Sequence, residues 1–208
     1  MKVLNLYAGI GGNRKLWEDV DVTAVEINDI IANVYTKQYP NDNVIISDAH
    51  EYLLRHFKEY DFIWSSPPCP SHSMFRKQIV YEHEECVEPV YPDMKLYEEI
   101  FFLKYYFNGK WVVENVKSYY EPLIKPLEVD RHYFWSNFHI PEIKIKNKNI
   151  MRKTFSELNE AFGFDIDTND LNGVNVDKRT VIRNCIEPEL GKHIFDCAYR
   201  IKQSKIIN

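Results

Sequence analysis

The residues most able to do chemistry are Ser65-Ser66-Pro67-Pro68-Cys69, which follow the apolar run Tyr60-Asp61-Phe62-Ile63-Trp64. A β-type run that meets two prolines must end there, because proline has no N–H for the ladder. Cys69 is therefore expected on a stiff turn at the carboxyl end of a strand, where open α/β sheets place their ligands. A thiol held there suits a nucleophile. The competing reading is a buried cysteine beside a Pro-Pro loop, since free cysteines behave as small hydrophobes. The pentapeptide alone leaves both open.

Two further segments bear on that choice. Near the start, Val3-Leu4-Asn5-Leu6 runs into Tyr7-Ala8-Gly9-Ile10-Gly11-Gly12. Glycines at such a turn let the backbone approach a ligand closely. The next apolar run, Val22-Thr23-Ala24-Val25, ends in Glu26, a carboxylate able to accept from two ribose hydroxyls. Strand before, helix after and acid later make up the dinucleotide-type fingerprint. Here the acid comes early and the last two glycines are adjacent. Both departures favour S-adenosylmethionine, which has a ribose but no pyrophosphate. A solvated turn residue is the alternative for Glu26. In Trp111-Val112-Val113-Glu114-Asn115-Val116 an apolar strand carries an acid at its end. Glu114 is either an edge charge or a carboxyl group beside the thiol. A cysteine that attacks a pyrimidine ring needs such a partner at the ring nitrogen.

Together these segments resemble the ordered motifs of the DNA cytosine C5-methyltransferases. The resemblance rests on Tyr7-Ala8-Gly9-Ile10-Gly11-Gly12, Glu26-Ile27-Asn28, Ser47-Asp48-Ala49, Pro67-Pro68-Cys69 and Glu114-Asn115-Val116. Arg131-His132-Tyr133-Phe134-Trp135-Ser136-Asn137 is similar to the family's arginine-bearing strand motif, and Arg183-Asn184-Cys185 to its C-terminal motif. The resemblance implies a Rossmann-like α/β fold with a mostly parallel sheet and helices on both faces. It implies catalysis by Cys69, Glu114 and Arg131 on a flipped-out cytosine. It assigns S-adenosylmethionine to Tyr7, Ala8, Gly9, Gly11, Gly12, Glu26, Ile27, Asp48, Ala49, Pro68 and Asn184. Nucleic acid would be met by Ser71, Ser73, Arg76 and Lys77 after Cys69.

Three departures qualify the resemblance. Pro70 stands where the family carries Gln. Asp130-Arg131-His132 leaves one arginine where the family often has two, so either Arg131 or His132 takes the base. The stretch from His139 to Ile182 is only 44 residues, short for a target-recognition region. A cytosine-5 tRNA methyltransferase and a non-catalytic cofactor-binding regulator are the rival functions. The intact Cys69 and Glu114 speak against the second.

Hydrophobic residues make up 45% of the chain and charged residues 27%, as in an ordinary folded domain. One catalytic domain over residues 1–208 is expected, with the segment from 183 onward returning to the cofactor site. The net charge of −5 argues against a protein that coats nucleic acid nonspecifically. Lys144, Lys146, Lys148, Arg152 and Lys153 form a local basic run where the family keeps its DNA-reading insert. Such runs are usually solvated faces; here phosphate contacts with double-stranded DNA are favoured. A restriction enzyme or recognition partner would supply what the short insert lacks.

The four cysteines, at 69, 86, 185 and 197, show no metal-ligand spacing, so no metal is expected. No apolar run is long enough for a bilayer, and no signal sequence is visible. A monomeric cytoplasmic protein of bacterial or phage origin is expected. The spacing predicts strands at 2–6, 22–26, 43–47, 60–65, 111–114 and 132–137. It predicts helices at 13–19, 28–37, 49–57, 93–107, 154–162 and 188–201. Leu96, Ile100, Leu103 and Phe107 place the core face of the fourth of these helices.

Overall fold

The computed structural model describes residues 1–74, 91–143 and 150–199. Seven strands form one sheet: β1 (Lys2–Leu6), β2 (Asp21–Glu26), β3 (Asn43–Ile46), β4 (Phe62–Ser65), β5 (Lys110–Val116), β6 (Leu127–Val129) and β7 (His132–Ser136). Their order is β3-β2-β1-β4-β5-β7-β6. β1 to β5 run parallel, and β7 enters antiparallel to both β5 and β6. Strands buried on both faces read as largely apolar runs: Val3, Leu4 and Leu6 of β1 and Phe62, Ile63 and Trp64 of β4 are fully buried, with Asn5 and Ser65 as buried polar members.

The helices are α1 (Asp29–Gln38), α2 (Ala49–His56), α3 (Lys95–Tyr106), α4 (Phe155–Phe162), α5 (Lys178–Arg183) and α6 (Pro188–Tyr199). Alternate residues of each strand feed opposite layers. Leu4, Ile63 and Val113 pack with Leu53 of α2 and with Leu96, Ile100 and Leu103 of α3. Val3, Phe62, Trp64 and Val112 face Leu190, Ile194 and Phe195 of α6. A third cluster joins Ile10 and Val34 to Leu158, Phe162, Val181, Ile182 and Cys185. The described part of the short insert is thus built into the core beside the glycine loop. Among the described residues, no helix is long and apolar enough to cross a membrane.

Several helix starts follow from side-chain caps. Asn28 accepts from Ile31 N–H, Asp48 from Glu51 N–H, and Thr154 forms a capping box with Glu157. The helix expected at 13–19 is absent, and residues 12–16 form successive turns instead. Competing contacts explain this. Arg14 forks onto Asp42 at 2.9 and 3.0 Å and donates to the Trp17 carbonyl at 2.7 Å. The Trp17 indole is buried, donating to the Gly191 carbonyl at 3.2 Å and stacking on Phe195 at 4.9 Å. These long-range anchors pull the segment off a helical path. The pattern reading also omitted β6 and α5, which are too short to show a period.

Candidate active site

Parallel pairing brings the carboxyl ends of β1, β2, β4 and β5 to one edge of the sheet. The chain leaves β1 through two residues with positive φ, Tyr7 at 55° and Gly9 at 54°. The Ala8 N–H donates to the Val25 carbonyl at 3.0 Å, which locks the turn onto β2. Glu26, at the tip of β2, accepts from Gly9 N–H at 3.0 Å and from Asn28 N–H at 2.9 Å, one bond to each oxygen. Each oxygen keeps a second lone pair, enough for a vicinal diol.

A cleft here is lined by Tyr7, Glu26, Ile27, Asp48, Ala49, Pro68, Asp93 and Lys95. Six of these were expected from sequence; Asp93 and Lys95 were not. A Cβ placed on Gly9 would meet nothing within 4 Å, so bare backbone faces open space. Ile27 is 67% exposed, an apolar surface left uncovered at the cleft. A diol acceptor, bare backbone and an uncovered apolar side chain together fit a nucleoside.

Gly11, Gly12 and Asn184, also expected at the cofactor, are not among the residues that line the cleft. A Cβ on Gly11 would strike the Tyr39 and Tyr35 rings at 2.3 and 2.8 Å, and one on Gly12 would strike Cys185 Cβ at 2.5 Å and the Ile186 carbonyl at 2.6 Å. Both glycines therefore permit close packing. Asn184 caps the end of α5 and is exposed, whereas its neighbour Cys185 is the residue seated on Gly12.

Cys69 lies just after β4 and Glu114 lies within the adjacent β5, with Ser65 of β4 opposite Val113 of β5 and Glu114 opposite Phe134 of β7. Asn115 fastens the two segments by donating to the Pro67 carbonyl at 3.0 Å. The Cys69 carbonyl accepts from His72 N–H at 3.0 Å and Ser73 N–H at 3.1 Å. Burial, and then the nearby Glu114 carboxyl, push the Cys69 thiol above its usual range. Burial also pushes Glu114 up to about 7, against the Ser66 hydroxyl and the Arg131 charge, which favour ionisation. The site thus sets a thiol beside a carboxyl group that holds its proton close to neutrality.

Arg131 lies at the turn into β7, with Nη2 3.1 Å from Glu187 Oε1 and 3.4 Å from the Cys185 carbonyl. Its positive charge lowers the pKa of both Cys69 and Glu114. His132 points its Nε2 towards Glu114 Oε1 at 3.8 Å. Burial and the Arg131 charge push the imidazole down to about 3. Asp130, His132 and Glu187 offer ligand-type atoms within 4.8 Å of one another, and the Arg131 guanidinium bonds into this group through Glu187.

Ser71 accepts from Asp93 N–H at 3.0 Å, and Ser73 pairs with Ser118 in a single β-bridge. Both serines tie the Cys69 loop to neighbouring segments. His72 bonds Tyr120 at 2.6 Å through Nδ1, and burial lowers its pKa. Arg76, Lys77, Lys144, Lys146 and Lys148 lie outside the described residues. Sequence reasoning missed Glu99. Its signal was present: it falls on the apolar stripe of Leu96, Ile100 and Leu103, where a carboxylate needs partners.

The sequence model of the C-5 cytosine-specific DNA methylase family matches residues 1–117. A curated relative, the tRNA (cytosine(38)-C(5))-methyltransferase of Spodoptera frugiperda, is 33% identical over 75 residues. That match covers 33% of this chain and 23% of the relative, so the chain spans under a quarter of that protein's length. The crystal structure of Spodoptera frugiperda DNMT2 is 26% identical with a TM-score of 0.41, covering 56% of this chain and 35% of that one. The Entamoeba histolytica methyltransferase EhMeth is 12% identical with a TM-score of 0.54, covering 96% of this chain and 98% of that one, a likeness of fold. With the family's sequence model spanning more than half of its length, the chain belongs to the C-5 cytosine-specific DNA methylase family, whose cofactor is S-adenosylmethionine.

Proposed function

We propose that this chain methylates C5 of cytosine in DNA. The observation that carries this reading is the placement of Cys69, just past the end of β4, near the buried Glu114 of the adjacent β5, beside a cleft lined in part by Pro68. The target base leaves the stack so that both ring faces become reachable. Cys69, as thiolate, adds to C6. Protonated Glu114 donates to ring N3 and offsets the negative charge that the addition drives into the ring. Arg131 supplies positive charge next to both groups. Bound S-adenosylmethionine supplies an electrophilic methyl group on a cationic sulfur. Loss of the C5 proton and expulsion of the Cys69 sulfur then restore the aromatic ring.

The cleft residues divide the work of holding the cofactor. Glu26 takes the ribose diol, Ile27 covers the adenine, Asp48 faces its amino group, and Tyr7 with Gly9 forms the floor. Target reading falls to few side chains, because Ile150, Leu158, Phe162, Phe164 and Ile166 of the insert are spent in the core. A recognition sequence of about two to four base pairs follows, each bidentate contact discriminating by about 1–3 kcal/mol. Lys144, Lys146 and Lys148 would add phosphate contacts. A recognition partner or an accompanying restriction enzyme would extend that specificity.

A second reading, methylation of cytosine in tRNA, is supported by the curated relative's named activity. Methyl transfer from labelled cofactor to duplex DNA, single-stranded DNA and tRNA, followed by bisulfite sequencing, separates the two. Transfer to duplex DNA with a short sequence pattern is expected. Transfer to tRNA alone would replace the DNA reading, and transfer to none would favour a non-catalytic regulator.

A further inference from the structure

Glu99 sits one turn into α3 and is fully buried. Three side chains from three other segments converge on it. The Tyr7 hydroxyl donates to Oε1 at 2.6 Å, and His50 Nδ1 lies 3.1 Å from the same oxygen. The Ser65 hydroxyl donates to Oε2 at 2.5 Å. Each partner adjoins a wall of the cofactor cleft. Tyr7 is itself a wall. His50 follows Asp48 and Ala49 in the first turn of α2. Ser65 ends β4 just before Pro67 and Pro68. Lys95, one helical turn before Glu99, lines the cleft from α3.

We infer that Glu99 is a positioning residue for the cofactor cleft: one buried carboxylate joins four of the five segments that form its walls, all but the tip of β2. The inference rests on reading that cleft as the S-adenosylmethionine site. A carboxylate taken out of water is costly unless its lone pairs are filled, so its three donors are held tightly. Removing any one of them leaves the charge underbonded. Tyr7 depends on the hub most, since it holds a left-handed backbone conformation that L-residues other than glycine rarely adopt. His50 carries the only cationic form among the three donors. It faces Glu99 and, at 3.8 Å, Glu98, with Lys95 as the nearby like charge. The hydrogen bond to Glu99 raises its pKa.

Calorimetric titration with S-adenosylmethionine tests the inference on the full chain. Glu99→Gln keeps the shape but removes the charge. It should weaken binding about tenfold or more, with kcat per bound enzyme changed less than KM. Tyr7→Phe should weaken binding too, and the double variant should lose no more than the worse single one, because the two act through one bond. Histidine NMR should show the His50 pKa falling in Glu99→Gln. Should Glu99→Gln fail to fold, the same non-additivity is read from Tyr7→Phe with His50→Gln, whose side chains meet on Oε1 of Glu99. Additive losses, or variants that bind as wild type does, would overturn the hub. Failure of the wild-type chain to bind S-adenosylmethionine would instead overturn the assignment of the cleft.

Discussion

His132 Nε2 stands 3.8 Å from Glu114 Oε1, and the two groups are driven to neutrality by the same burial. An arginine at this point of β7 would hold Glu114 ionised. A neutral imidazole does not, and the one arginine of the motif, Arg131, is turned to Glu187 at 3.1 Å. Glu114 therefore keeps its proton up to about 7, the state that the proposed mechanism asks of it.

This predicts an unusual pH profile. On the proposed mechanism the rate needs Cys69 ionised and Glu114 protonated. Below about 7 the rate should rise with pH, as the thiolate fraction grows while Glu114 stays protonated. Above that point each gain in thiolate is matched by loss of the Glu114 proton, and the profile should flatten. Single-turnover rates across pH check this; a continued tenfold rise per pH unit well beyond 8 would contradict it.

Stability should carry the same signature. Glu114 has its folded-state pKa raised from 4.5 to about 7. The folded state then binds the extra proton, so this contribution is present in full below 4.5 and lost as pH rises through 7. Glu114→Gln should be the more stable protein above neutrality, by at most about 3 kcal/mol, and should lose that advantage in acid. Urea denaturation at pH 5 and pH 8 measures the difference.

Cys69→Ala should abolish turnover and leave cofactor affinity nearly unchanged. DNA containing 5-fluorocytosine should trap a covalent adduct on Cys69, because fluorine blocks the final proton loss. An alanine variant within about tenfold of wild type, roughly 1.4 kcal/mol of barrier, would refute the nucleophile.

Glu26→Ala should weaken S-adenosylmethionine binding by about 1.5–3 kcal/mol, the scale of hydrogen bonds to a charged group. It also frees the Gly9 and Asn28 N–H groups, so the glycine loop should exchange its amide protons faster. Titration calorimetry and hydrogen exchange read the two effects separately.

Gly12→Ala and Gly9→Ala should fail differently. At Gly12 the new methyl group meets Cys185 and the Ile186 carbonyl, so the C-terminal segment must move and stability should fall by about 1–3 kcal/mol. At Gly9 the space is open, and only the positive φ opposes alanine, at about 1–2 kcal/mol. Denaturation of both variants, with cofactor titration of Gly9→Ala, distinguishes packing from cleft floor.

The sequence by itself determined the ladder of apolar strands, the Pro-Pro stop after β4 and the acid that ends β2. These are local effects: a run buried on both faces, a missing N–H, a charge where an apolar strand meets water. Glu114, expected at a strand end, lies buried inside β5, which continues to Val116. Tertiary structure alone decided that residues 12–16 form turns in place of the expected helix at 13–19, since Asp42, Gly191 and Phe195 compete with the helix for Arg14 and Trp17. It decided that Gly9 borders open space while Gly11 and Gly12 pack against neighbouring side chains, a distinction that spacing does not contain. It decided as well that Glu99, on an apolar stripe, gathers Tyr7, His50 and Ser65. Those partners lie between 34 and 92 residues away, and only the folded chain brings them within hydrogen-bond reach of one carboxylate.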